Sequence, residues 1–184
     1  MISEHILENL QMPNGAIFSP CQRWRYLLWR RTEAALYPGD RGTLLALGIN
    51  PSDANASRDD HTLRKVVGFA RKLNYGRAMI ANPFAWVSKD LHSMLALEVA
   101  GADVIGPEND AFLRLAMSQA DVIVPCWGKH GSIRGRDMVL LDMAREAGKP
   151  ISVFAINADG TPSHPARLPY GRLVPYLHKK EQQQ

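Results

Sequence analysis

Apolar residues occur along the chain in short continuous runs that are separated by polar loops and by helically spaced patterns. Such runs are typical of strands that are buried on both faces of a sheet. Four of them predict the main strands: Thr43–Ile49, Arg77–Asn82, Asp121–Trp127 and Ile151–Asn157. A further run, Tyr26–Arg31, predicts an edge strand that pairs with Ala16–Ser19.

Helical spacing of apolar residues predicts the segments between these runs. The first helix, Leu63–Leu73, is followed by Asn74 and Gly76, which are typical of a helix end. A second helix is predicted to begin at Pro107, because proline suits the first helical turn. A third runs through Val139–Ala147.

Strands that alternate with helices in this way predict an α/β fold. We expect a three-layer α/β/α sandwich with a mostly parallel four-stranded central sheet and extra N-terminal edge strands. Residues 1–178 are predicted to form a single domain, and residues 179–184 a polar C-terminal tail.

Each main strand is followed by a polar or aromatic loop. The four loops read NPSDANASRDD, NPFAWVS, WGKHGSIRGR and NADGTPSHPARLPYG. Ligands bind at the carboxyl edge of parallel sheets, where these loops would meet. The sequence therefore predicts that Asn50, Asn82, Trp127, His130 and His164 converge.

Some of these side chains also suit purely structural roles. Either Asp59 or Asp60 is expected to cap the following helix, which leaves the other carboxylate free. The Asn-Pro pairs at Asn50 and Asn82 are typical turn initiators, although two such pairs at equivalent positions favour a site.

The third loop leaves similar alternatives open. Trp127 suits core packing at a strand end as well as it suits a binding site. Arg134 and Arg136 suit either a solvated helix start or contact with phosphate. His130 lies near Cys126, but no further ligand stands close by in sequence, so we expect no metal site.

Composition narrows the class of protein. The chain has 184 residues, 46% of them hydrophobic and 22% charged, with a net charge of +4. Two cysteines, no secretory signal and no run of eighteen apolar residues predict a cytoplasmic protein without membrane spans. No glycine-rich phosphate loop and no Gly-x-Ser-x-Gly elbow is present, which disfavours nucleotide-dependent enzymes and serine hydrolases.

Three segments resemble motifs of the uracil-DNA glycosylase-like superfamily. LLALGINPS (44–52) resembles its first motif, SHPARL (163–168) resembles its His-Pro-Ser motif, and IANPFAW (80–86) takes the place of its base-recognition strand. Over Arg25–Leu168 the chain more closely resembles a bacterial and phage domain family of unknown function, which we place in the same superfamily. Ser52 and Ala166 depart from the motifs, and the cysteines of the iron–sulfur branches are absent.

The resemblance implies roles for individual residues. Asn50 would position the attacking water, Asn82 would contact the base edge, and His164 would stabilise the departing base or grip a flanking phosphate. Since glycosidic cleavage develops positive charge on the sugar, Asp53 or Asp59 is a candidate carboxylate to assist Asn50.

The remaining candidates concern the base and the DNA backbone. Ser52, Phe84 and Trp127 are expected to join Asn82 in binding a flipped-out base, with the aromatic rings stacking on it. The expected phosphate contacts are Lys129, His130, Arg134, Arg136 and Arg167.

The expected function is a monofunctional DNA glycosylase that needs neither metal nor cofactor. Its substrate would be DNA with a modified or mispaired base, including a hypermodified phage base such as glucosylated hydroxymethylcytosine in antiviral defence. Two alternatives stay open: a non-catalytic nucleic-acid or nucleotide-binding module, and a nucleoside or nucleotide hydrolase. The sequence indicates no particular protein partner.

Overall fold

The computed structural model describes residues 3–176, so the predicted tail and the exact end of the domain lie outside the described residues. Within this part of the chain a five-stranded sheet has the order β1-β2-β4-β3-β5. The strands are β1 (Asn14–Phe18), β2 (Arg25–Arg31), β3 (Thr43–Leu47), β4 (Arg77–Ala81) and β5 (Val122–Pro125). β3 is parallel to β4 and β5, whereas β2 is antiparallel to β1 and β4. The α/β class is confirmed, but the mostly parallel four-stranded sheet is wrong, because this sheet is mixed and five-stranded.

The two N-terminal strands extend the sheet as predicted, but in a different position. Ala16 pairs with Leu28, which confirms the predicted pairing of the two segments. Leu28 also pairs with Ile80 of β4, so β2 is an interior strand and β1 is the edge. The continuous apolar run of β2 is explained by burial of both faces, since Leu27 and Trp29 pack in one core and Leu28 packs in the other.

The described part of the chain contains five α-helices, three of which lie in the connections from β3 to β4 and from β4 to β5. The helices are α1 (Glu4–Asn9), α2 (His61–Lys72), α3 (Leu91–Val99), α4 (Asn109–Gln119) and α5 (Arg136–Glu146). α2, α4 and α5 match the predicted helices, whereas α1 and α3 were not predicted. α3 buries only Met94, so it carries little of the apolar periodicity that marks a packed helix. Among the described helices, none has the length and apolar character needed to cross a membrane.

Alternating side chains of β3 feed two separate hydrophobic cores. Leu44 and Ala46 pack with Val66 and other residues of α2 on one face. Leu45 and Leu47 pack with side chains of α4 and α5 on the other face. The chain therefore forms three layers, with helices on both faces of the sheet.

The fourth predicted strand is much shorter than expected. Only Ser152–Val153 forms a strand, β6, which pairs with β7 (Val174–Pro175) in a separate two-stranded sheet. Ile151 still contacts the central sheet through a parallel bridge to Ile123. The strand ends early because the chain reverses: Ser163 N donates to Ala155 O at 2.9 Å.

Close packing of β1 on β2 gives a test of the fold. A Cβ at Gly15 would lie 2.1 Å from Trp29 Cζ2, and Trp29 is fully buried. Gly15→Ala is therefore expected to lower the free energy of unfolding by about 1–3 kcal/mol, the usual cost of overpacking. Urea denaturation measures this. Gly171→Ala is the control, because a Cβ there meets nothing within 4 Å; equal stability of the two variants would contradict the packing.

Candidate nucleic-acid site

A cavity of about 180 Å³ lies at the carboxyl ends of β3 and β4, on the α2 face of the sheet. Its polar lining consists of Arg25, Asn50, Ser52, Asp60, Thr62, Asn82, Ser88, Lys89 and His164. Its apolar lining includes Leu28, Ala46, Val66, Ile80 and Cys126. Four predicted site residues are thus brought together: Asn50, Ser52, Asn82 and His164.

The amide of Asn50 is held by the backbone. Its Nδ2 donates to Ser88 O at 3.1 Å and to Pro51 O at 3.3 Å. Among the described residues no donor to its Oδ1 is found. The two anchored N–H bonds therefore fix the orientation of the amide and leave its oxygen available as an acceptor.

Asp60 is the carboxylate of the cavity. Its Oδ1 accepts a hydrogen bond from Leu63 N at 2.6 Å, so Asp60 is the N-cap of α2. Its Oδ2 accepts a hydrogen bond from Ser52 Oγ. The negative charge lies at the N-terminus of α2, where the helix dipole stabilises it.

The other two acidic candidates lie outside the cavity lining. Asp59 forms an ion pair with the buried Arg30, at 2.7 Å from its Nη2. Asp53 pairs at 2.9 Å with Arg58, and both side chains are exposed. The choice between Asp59 and Asp60 as the helix cap thus goes to Asp60, which is also the one that reaches the cavity.

Arg25 and Asn82 form the deepest polar pair. Arg25 is 3% exposed and Asn82 is 4% exposed. Arg25 donates from Nη1 to Ala54 O at 2.9 Å and from Nη2 to Asn82 Oδ1 at 3.4 Å. Burial lowers the pKa of Arg25 to about 10, against the opposing effect of Asp60. The guanidinium therefore remains charged at neutral pH.

Two neighbours hold Asn82 in place. Its backbone oxygen accepts a hydrogen bond from Asn109 Nδ2 at 2.9 Å. Its side-chain Nδ2 lies so close to Gly48 that a Cβ there would be 2.6 Å away. Glycine at position 48 thus makes room for the amide.

His164 enters the cavity from a short 3₁₀ turn, Pro165–Arg167. Its Nδ1 accepts a hydrogen bond from Ala166 N at 3.3 Å, which assigns the proton of the neutral ring to Nε2. Partial desolvation lowers the pKa of His164, Asp60 raises it, and His61 lowers it. His61 also contacts Ala166 O at 3.1 Å and so ties the turn to α2.

Both aromatic candidates are buried elsewhere. Phe84 is fully buried in a cluster with Met94 and Val104 and does not line the cavity. Trp127 packs in the hydrophobic core that includes side chains of α4 and α5. It also lines a different cavity, of about 400 Å³, together with Lys129.

The basic candidates divide into exposed and paired side chains. Lys129, His130 and Arg167 are exposed. Arg134 forms an ion pair with Glu98 at 2.6 Å. Arg136 is buried and bound to Asp110 and to the backbone oxygen of Pro83, so its guanidinium joins α5 to α4.

Five polar lining residues were not predicted as site residues: Arg25, Asp60, Thr62, Ser88 and Lys89. Arg25 gave one usable signal, a charged residue at the start of the apolar run of β2. Ser88 ends the loop NPFAWVS, which was expected at the ligand-binding edge, but neither it nor Lys89 was singled out.

Cys126 and the acidic residues suggest no metal chemistry of their own. Burial raises the pKa of the Cys126 thiol to about 12, so the thiol is protonated and unreactive at neutral pH. Between residues 3 and 176 no group of three or more His, Cys, Asp or Glu side chains is placed to hold a metal ion.

A family model described as a protein of unknown function (DUF1643) matches residues 25–166. The chain belongs to the DUF1643 family. The match begins at Arg25 and ends two residues beyond His164, so it includes every polar residue of the cavity. No curated protein and no solved structure matches the chain.

The contact between Gly48 and Asn82 gives a test of the cavity. Gly48→Ala is expected to displace the Asn82 amide and weaken ligand binding by roughly tenfold or more, the effect of losing a buried hydrogen bond to a ligand. Titration with single-stranded oligonucleotides measures this, with Gly171→Ala as control. Unchanged affinity of the Gly48→Ala variant would show that ligand binding does not depend on the position of the Asn82 side chain.

Proposed function

We propose that this DUF1643 protein is a DNA glycosylase that hydrolyses the N-glycosidic bond of a flipped-out, modified or mispaired base and leaves an abasic site. One observation carries the proposal. Asn50 is anchored through its amide nitrogen, which leaves its oxygen as a fixed acceptor in the same small cavity as Asn82 and His164. The reaction requires three elements: an acceptor that holds the attacking water, a group that hydrogen-bonds to the base edge, and a donor that stabilises the leaving base.

The cavity residues take these roles as follows. Asn50 Oδ1 accepts a hydrogen bond from the water and aims it at C1′ of the sugar. The water oxygen bonds to C1′, and the bond between C1′ and the base nitrogen breaks with its electron pair passing to the base. The proton that the water loses ends on the departing base. His164 Nε2–H meets the negative charge on the base, while the carboxylate of Asp60 favours the positive charge that develops on the sugar.

The size of the cavity supports base flipping. At about 180 Å³ it is smaller than the roughly 300–1,000 Å³ typical of pockets for drug-sized ligands, so it suits one base rather than a nucleotide. The sugar and phosphates would remain outside, near the exposed Lys89, and the base would enter alone. The exposed Lys129, His130 and Arg167 are further candidates for phosphate contacts.

The resemblance to a bacterial and phage family supports a biological setting for this activity. We propose that the protein acts in the cytoplasm on DNA with a hypermodified base, of which glucosylated hydroxymethylcytosine is one candidate. The role would then be antiviral defence, and a mispaired base would instead indicate repair.

Asn50→Ala is expected to lower the rate of base excision by roughly 10²–10⁴-fold, the usual contribution of a group that activates water. The assay incubates wild type and variant with DNA that contains uracil, G·T and G·U mismatches, hydroxymethylcytosine or glucosylated phage DNA. Abasic sites are detected by alkaline cleavage and the released base by mass. Asn14→Ala is the control, since Asn14 lies in the edge strand β1, away from the cavity lining.

Other outcomes of this assay separate the alternatives. DNA binding without base release from any substrate would refute the enzyme and favour a binding module. Turnover of free nucleosides, with DNA affinity that hardly responds to salt, would favour a nucleoside hydrolase, because DNA binding releases counterions and depends strongly on salt.

The lowered pKa of His164 predicts the pH dependence of excision. Because the pKa of His164 is lower than the ordinary histidine pKa of 6.5, the ring is still mostly neutral at pH 6.5. In this form Nδ1 accepts the hydrogen bond from Ala166 N. Excision should therefore stay level from pH 8 to 6.5 and decline only at lower pH, where protonation breaks the Ala166 bond. The pH–rate profile of His164→Gln should lack this acid decline. An identical decline in both proteins would assign it to another group.

A further inference from the structure

Arg25 differs from the other buried arginines of the described chain in its partners. Arg30 is paired with Asp59, and Arg136 is paired with Asp110. Arg25, the most buried of the three, forms no ion pair with any carboxylate between residues 3 and 176, and it lines the cavity. Its two hydrogen bonds go to neutral oxygens, Ala54 O and Asn82 Oδ1.

Burying a cation is unfavourable for folding, and at Arg25 the charge of Asp60 opposes the effect of burial without forming an ion pair. Packing does not require a charge here, since the following residues of β2, Tyr26 to Trp29, are apolar or aromatic and fully buried. A guanidinium has five N–H donors, and Arg25 directs two of them to protein oxygens. The remaining capacity suits a ligand with electronegative atoms.

The bond to Arg25 also fixes how Asn82 faces the cavity. Since Asn82 Oδ1 accepts from Arg25, its Nδ2 is the end of the amide that lies against Gly48, another lining residue. No acceptor for Nδ2 is found in the described part of the chain. Arg25 and Asn82 thus offer the ligand two neighbouring donors.

We propose that Arg25 and Asn82 together recognise the ring-nitrogen and carbonyl edge of a cytosine-type base, which carries two adjacent acceptors and no N–H. This rests on the proposed function and deepens it. The cavity volume of about 180 Å³ is sufficient for one base. Uracil-type bases carry an N–H between their two carbonyls. That N–H would face the N–H donors of Arg25 and Asn82, which is unfavourable.

The same contact contributes to the chemistry. When water adds to C1′ and the bond from C1′ to ring N1 breaks, the electron pair of that bond passes to the base. In a cytosine-type anion this charge spreads over N1, O2 and N3. Because O2 and N3 form the edge held by Arg25 and Asn82, the guanidinium interacts more strongly with the departing base than with the intact nucleotide, which is the condition for catalysis. A proton from water then neutralises the base.

The test measures binding and excision on one matched set of oligonucleotides. Each is a thymine-based single strand with one central residue: 5-hydroxymethylcytosine, 5-hydroxymethyluracil, cytosine, 3-deazacytosine or an abasic analogue. Binding is measured with Asn50→Ala protein, in which slow excision is expected to leave the substrate intact during the titration. Arg25→Met and Arg25→Lys are added to this background, and Arg30→Met is the matched control, a buried arginine of the same strand that lies outside the cavity lining.

Arg25→Met is expected to weaken binding of the two cytosine-type strands by roughly tenfold to a hundredfold, the effect of losing hydrogen bonds to a charged group. Binding of the 5-hydroxymethyluracil and abasic strands should hardly change. Binding of the 3-deazacytosine strand, which keeps O2 but lacks the N3 acceptor, should weaken by less than that of the cytosine-type strands. Arg25→Lys keeps the charge but loses the planar fork, so it should show an intermediate loss and serves if Arg25→Met does not fold. Thermal unfolding of each variant checks the fold.

Equal weakening of all strands by Arg25→Met would overturn the inference, because it would indicate a contact to phosphate. The inference would also be overturned if the wild type excised 5-hydroxymethyluracil in preference to 5-hydroxymethylcytosine. That result would still support the proposal that the protein is a DNA glycosylase. Conversely, edge-dependent binding without excision by the wild type would support this recognition and refute the glycosylase.

Discussion

The parallel pairing of β3 with its two neighbours is the constraint on which the site depends. Hydrogen bonds continue past the strand ends, from Gly48 N to Ala81 O at 3.0 Å and from Cys126 N to Leu47 O at 2.8 Å. Three chain segments therefore leave the sheet at one level. A slip of one residue would exchange the two core faces of β3, so hydrophobic burial fixes the register and, with it, the points where Asn50 and Asn82 emerge.

The N-terminus of α2 is the second organising feature. Asp60 caps the helix, binds Ser52 from the preceding loop and lines the cavity. One residue later, His61 holds the turn that follows His164. A single helix start thus joins the first and last loops of the site, which lie about a hundred residues apart in sequence. Asp60 therefore stabilises the helix and also places a carboxylate in the cavity. Removing its side chain would disturb both loops.

Patterns within the sequence were informative where burial on both sides produces a continuous apolar run. This is why the cores of β3, β4 and β5 were predicted. Of the five residues expected to converge, Asn50, Asn82 and His164 line one cavity, whereas Trp127 and His130 do not. The same reasoning placed β2 at an edge, because a run of apolar residues does not say how many strands flank it. Nor does the sequence show whether an aromatic side chain after a strand points into the core or into a pocket. Phe84 and Trp127 were therefore predicted to bind a base, although both pack in hydrophobic clusters.

Charged residues within strands were the main gap. Arg25 and Arg30 occupy the same strand and are both nearly inaccessible, at 3% and 7% exposure, so local sequence gives no reason to separate them. Their difference lies in partners that are distant along the chain: Asp59 neutralises Arg30, whereas Arg25 meets only neutral oxygens. Desolvating an ion costs several kcal/mol unless another charge compensates it. The Arg30 pair offsets that cost within the folded chain. At Arg25 the charge of Asp60 offsets part of the cost, and in the proposed complex a bound acceptor edge would offset more of it.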